Sequence, residues 1–210
     1  MADRRGAETM RLSFGAWARG VLGTGIVVSV LFSGFSGTPT ARAEIRKVIF
    51  VCVHGRKKEI CPQLRPNIEA PAGWGEDRIA EARQGRIVFV PKGKTFETAP
   101  AAITVQAIPN RMKTPADTLA ERDNEAFRQD YKDAIVAPLA PVTSLSIGAP
   151  VKLFRQTAEA LKPRGFQIVG FFADKDADGA PFSVQVVASA QTERGLAELR
   201  PKLEQMIKAY

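Results

Sequence analysis

Phe166–Ser189 reads FQIVGFFADKDADGAPFSVQVVAS. Two runs of β-branched and aromatic residues, Phe166–Ala173 and Phe182–Ser189, flank a turn rich in Asp and Gly. Residues of the first kind suit a pleated, packed surface, and Asp and Gly turn a chain, so the stretch predicts an antiparallel hairpin. In the second run Phe182, Val184 and Val186 alternate with Ser183 and Gln185. Successive side chains of a strand point to opposite faces, which predicts one buried face and one wet face.

Outward from this hairpin the same reading continues. Thr143–Ile147 and Val151–Gln156 are short predicted strands, with APLAPVT (137–143) as the loop before them. Further upstream, Ile45–Val53, Arg86–Val90 and Ala102–Ile108 are predicted strands, the last with Ile103, Val105 and Ala107 on one face. Gln63–Trp74 is Pro-rich and irregular, Glu76–Gln84 is a short predicted helix closed by Gly85, and Pro91–Pro100 is a polar loop.

Two longer helices complete the set. The first starts with Thr114 as N-cap and Pro115 in the first turn, and carries Leu119, Ala126, Phe127, Ala134 and Ile135 as an apolar stripe. The second follows Gln191 and carries Leu196, Leu199, Leu203, Ile207 and Tyr210, with Pro201 expected to kink it or to start its second part. Strands in a row interrupted by two helices predict an α+β single domain, a mostly antiparallel sheet packed with two longer helices.

The N-terminal segment 1–43 reads as a signal peptide. Arg11 and Arg19 precede an uncharged run, Val21–Phe35, and small residues lead to Ala41 and Ala43 in the cleavage positions. Cleavage leaves a domain over 44–210 that is periplasmic or secreted, with no membrane span. An uncleaved anchor is the alternative, although the run is short of the ~20 residues that span a bilayer. The full chain carries a formal charge of +8. Its basic turn Arg56-Lys57-Lys58 has no aromatic residues interleaved, so a nucleic-acid partner is not expected.

Both cysteines and the only histidine fall in one stretch, Cys52, His54 and Cys61. Export places an even cysteine count in an oxidising compartment, which predicts a structural disulfide between Cys52 and Cys61. A zinc site here would need a further ligand that no other Cys or His can supply. The spacing is not the C-x-x-C of a redox site.

Asp174, Asp176 and Asp178 followed by Gly179 match the first half of a calcium loop, but position twelve is Gln185 rather than a bidentate Glu. The expected reading is a hairpin turn, with a calcium-stabilised binding module as the alternative. Gly93-Lys94-Thr95 has Val88 where a phosphate-binding loop needs its first glycine. Asp123, Glu125, Asp130 and Asp133 are expected on the solvated side of their helix. No catalytic residue and no cofactor is predicted.

Gly73-Trp74, RIVFVPKG (86–93), APAAITVQAIPN (99–110), a charged helix, GFQIVGFFADKD (165–176), PFSVQVVASA (181–190) and a terminal helix follow in that order. Over roughly residues 74–210 this order resembles PsbP-like secreted domains. The resemblance implies an α-β-α sandwich and a non-enzymatic binding or assembly role. It does not extend to the Cys52–Cys61 hairpin and carries over no site residue. The resulting expectation is an exported, non-catalytic binding or accessory protein whose partner is a protein or envelope component. The alternative within enzymes is an exported hydrolase using carboxylates or a metal near His54.

Overall fold

The computed structural model describes the backbone of residues 45–54 and 57–210, and side chains at Ile45 and from Leu64 onward. Strand β1 (Ile45–His54) and strand β2 (Lys57–Pro66) form a two-stranded antiparallel ribbon. The remaining strands are β3 (Trp74–Glu76), β4 (Ile87–Pro91), β5 (Ala101–Pro109), β6 (Ile135–Thr143), β7 (Pro150–Thr157), β8 (Phe166–Lys175) and β9 (Pro181–Ala190). They make one sheet in the order β3-β4-β5-β9-β8-β7-β6, with every pairing antiparallel. Helices α1 (Arg78–Gln84), α2 (Ala116–Asp130) and α3 (Glu193–Ala209) accompany it. The fold is therefore α+β, as the strand and helix patterns predict, with the short α1 beside the two longer helices α2 and α3.

The predicted hairpin is the centre of the sheet. Strands β8 and β9 pair from Phe166↔Ala190 to Lys175↔Pro181. Alternation then sorts their side chains between two layers. Ile168 and Phe172 on β8, with Val184 and Val186 on β9, join the main core with Leu196, Leu199, Leu203 and Ile207 of α3. Val169 and Phe171 on β8 instead pack with Ala116, Leu119 and Ala120 of α2. Neighbouring residues of one strand point oppositely, so α2 and α3 lie on opposite faces. Gly170 permits a close approach between strands, since a Cβ there would sit 2.7 Å from Leu153 Cδ2.

This layering corrects the expectation of a wet face on β9. Ser183 and Ser189 are buried, as is Ser183's neighbour Val184 on the other side. A central strand covered on both faces has no solvated side, whatever its polar residues suggest.

Helix α3 begins at Thr192, whose hydroxyl accepts from the Gly195 amide at 3.0 Å, and runs through Pro201 as one continuous helix. Helix α1 is capped by Asp77 and ends at Gly85, whose φ of 67° is the left-handed conformation glycine adopts readily.

The segment after α2 departs from the sequence reading. Helix α2 stops at Asp130, and Pro115 rather than Thr114 stands at its N-cap, because Asn110 holds the Thr114 backbone from both sides. Ala126 and Ile135 are exposed, so the buried stripe is Ala120, Asn124 and Phe127. APLAPVT is strand, not loop: it belongs to β6, and residues 144–147, expected as strand, lie in the β6–β7 turn. Pro138 and Pro141 fit because β6 is the sheet's edge, where a missing N–H costs no ladder bond on the open side. The pairing shifts register between Leu139 and Val142.

Candidate functional site

A groove of about 480 Å³ runs between the end of β6 and helix α3. Val142, Thr143 and Leu145 form one wall, and Arg200, Glu204 and Lys208 form the other. The three charged residues are four apart, so α3 presents them as one row. Arg200 Nε donates to Glu204 Oε1 at 2.7 Å, which fixes the middle of that row. The Leu145 amide donates to the Lys208 carbonyl at 3.2 Å, tying the β6–β7 turn to the end of α3. The Leu145 side chain is nevertheless 81% exposed. An open trough with one apolar wall and one charged wall suits a partner's surface segment rather than an enclosed small molecule, which pockets usually bury by 70–90%.

A second polar feature lies under α2. Asp123 Oδ2 accepts from Gln156 Nε2 at 3.0 Å, and Asp123 Oδ1 accepts from Gln185 Nε2 at 3.2 Å. Gln156 Nε2 also reaches Asn124 Oδ1 at 2.9 Å. These bonds bolt α2 to strands β7 and β9. Asp123 is thus not on the solvated side of its helix, contrary to the sequence expectation. Burial raises its carboxyl pKa above the ordinary 3.8, against the two glutamine hydrogen bonds, which lower it. The other acids on this helix conform better: Glu125 and Asp130 are exposed, and Asp117 pairs with Lys152 at 2.6 Å on the surface. Asp133, in the turn after α2, accepts from the Glu159 amide at 2.6 Å.

The raised pKa predicts a pH dependence. The folded protein holds the Asp123 proton more tightly than the unfolded chain does. Stability from this group therefore falls as pH rises from 3.8 through the folded pKa. Asp123→Asn removes the titration, so wild type should lose stability relative to the variant as pH rises through that window. Urea denaturation of both proteins between pH 3.5 and 7 checks it, and a pH-independent difference would refute it.

The residues singled out in the DKDADGA turn face different partners. Tyr210 donates its hydroxyl to Asp174 Oδ2, and Asp174 Oδ1 accepts from the Lys175 amide at 2.8 Å. Asp176 Oδ1 accepts from the amides of Asp178 and Ala180 at 3.1 and 2.8 Å. Gly179 takes the positive φ of 79° that the turn requires. Burial and the bonded Asp174 push the Tyr210 phenol pKa well above its usual value. Among the described residues no three His, Cys, Asp or Glu side chains gather as metal ligands would.

The side chains of Cys52, His54 and Cys61 lie outside the described residues, and so does the disulfide predicted between the cysteines. In the backbone register Cys52 stands opposite Glu59 and Cys61 opposite Phe50. The signal peptide predicted over 1–43 also lies outside the described residues, and among the described residues no helix is long and apolar enough to cross a membrane.

The sequence reading missed both features. The groove joins residues some sixty positions apart, which no local pattern reveals. The polar seam had one available signal: Ala120, Asn124 and Phe127 lie at helical core spacing, with an amide in the middle. Comparison with known proteins finds no family model that matches this chain and no matching curated protein.

Proposed function

We propose that the chain is an exported, non-catalytic binding or accessory protein of the cell envelope, and that it holds a protein partner in the β6–α3 groove. The observation that carries this reading is the pairing of Leu145, 81% exposed at the rim, with the charged row Arg200, Glu204 and Lys208 opposite it. An exposed apolar side chain beside a charged rim is the anatomy of a protein interface, with an apolar anchor inside polar surroundings. The leader composition supports export, and the PsbP-like order of elements supports a binding role.

Site-specific photocrosslinking in cells tests it. A photoreactive residue at Leu145 or Thr143 should trap one adduct of discrete mass. The same residue at Ile79, exposed on α1, should not. Lys208→Glu should weaken the Leu145 adduct. Equal labelling at all three positions, or none at Leu145, would remove the groove from consideration.

A further inference from the structure

Met112 and Met206 are the methionines whose side chains are described, and they stand in opposite surroundings. Met206 of α3 is 4% exposed and packs in the main core. Met112, in the loop between β5 and α2, is 87% exposed, the most open of the large apolar side chains among the described residues. So open a side chain buries almost no apolar surface, and packing gives no reason for it.

The loop keeps its shape without Met112. The Lys113 amide donates to the Asn110 carbonyl at 2.8 Å. Asn110 Nδ2 donates to the Thr114 carbonyl, and the Thr114 amide donates back to Asn110 Oδ1, both at 2.8 Å. The Asn110 amide donates to the Pro181 carbonyl at 2.9 Å, which ties the base of the loop to β9. Lys113 takes a φ of 51°, a left-handed conformation that is uncommon for a residue with a side chain, and these bonds hold it there. Arg111 and Lys113 flank Met112, and both are exposed. Neither forms an ion pair among the described residues.

We propose that Met112 is a reversible oxidation site for hypochlorous acid, a sulfur held out to meet the oxidant before it reaches the core. Overall the thioether gains one oxygen and loses two electrons to become the sulfoxide. Hypochlorous acid is reduced to chloride, and a proton is released. A thiol-dependent reductase reverses the step: two thiols become a disulfide, and the oxygen leaves as water. Exposure admits both the oxidant and the reductase. None of the bonds that shape the loop uses the Met112 side chain, so a polar sulfoxide there disturbs no packing. The same oxygen on Met206 would enter the core. The two flanking cations gather the hypochlorite anion, which is in equilibrium with its acid near neutral pH. That charge selects hypochlorous acid over neutral hydrogen peroxide.

The test treats the purified protein with limiting hypochlorous acid and reads each methionine by peptide mass spectrometry. Met112 should oxidise at least about tenfold faster than Met206, which must wait for the fold to open. In urea the two rates should converge. Protein oxidised at Met112 should keep its melting temperature, and a methionine sulfoxide reductase with dithiothreitol should restore the original mass. Raising the salt should slow hypochlorite at Met112 by about twofold or more and leave hydrogen peroxide unchanged, because only the anion is steered by charge. Arg111→Gln with Lys113→Gln should do the same at low salt. Equal rates at the two methionines of the folded protein, a melting temperature that falls on Met112 oxidation, or the same salt response for both oxidants would overturn the assignment.

Discussion

Leu203→Ala should lower the stability of the domain by about 3–5 kcal/mol, among the largest effects any apolar truncation here will have. Leu203 is fully buried on α3, and it packs in the main core with Val184, Val186 and Ile103 of the central strands. Alanine is the better helix former, so the helix gains slightly in intrinsic propensity while the interface loses three carbons. The loss is therefore one of packing. A surrounding of strands held in a ladder on both sides collapses poorly into a void, which places the cost in the upper part of the usual range. Urea denaturation measures it, with an unchanged slope showing that the denatured state is not altered. Leu145→Ala is the matched control: the same chemistry at a side chain 81% exposed should cost well under 1 kcal/mol. Similar losses from the two would mean that α3 does not anchor the sheet as its contacts indicate.

That contrast also shows what the sequence could reveal. All five residues of the terminal stripe, Leu196, Leu199, Leu203, Ile207 and Tyr210, are buried. The strands of the hairpin and Ile103, Val105 and Ala107 on β5 likewise fall where their alternation puts them. These elements are legible because one physical demand, burial of an apolar face, decides them. Edge strand β6 was not, because Pro138 and Pro141 argue for a loop until the position of the strand in the sheet is known. The second face of β9 was hidden for a related reason. Ser183, Gln185 and Ser189 look solvated locally, yet α2 lies across that face of the sheet. Asp123 and Asn124 reverse the usual sign of the helical pattern, since hydrogen bonds to Gln156 and Gln185 let polar groups occupy a core-facing position. Binding features built from distant residues, such as Leu145 against Lys208, leave no trace in spacing at all.

Arg65→Met should be the most damaging change outside the apolar core. Arg65, at the end of β2, donates one guanidinium nitrogen to Glu81 of α1 and another to Glu76 of β3. Arg78 completes the group, 2.6 Å from Glu76 and 3.4 Å from Glu81. Glu81 is fully buried. Burial raises its pKa above the ordinary 4.5 even though Arg65 and Arg78 pull it down. Removing one partner of a buried pair leaves a charge with neither water nor counter-ion, at about 3–5 kcal/mol. Arg78 is exposed and still reaches both acids, so the lower end, about 3 kcal/mol, is expected near pH 7. The deficit should depend on pH in a definite direction. Without Arg65 the Glu81 pKa rises further, and the folded variant takes up a proton that the unfolded chain does not hold. The variant then regains stability relative to wild type as pH falls toward 4.5, because a neutral buried acid no longer needs the arginine. Adding Glu81→Gln to Arg65→Met should recover part of the loss at pH 7 and flatten its pH dependence. Denaturation curves for the three proteins at pH 7 and at pH 4.5 decide the matter. An equal deficit at both pH values, with no recovery in the double variant, would mean that Arg65 acts through its packed methylenes and not through its charge.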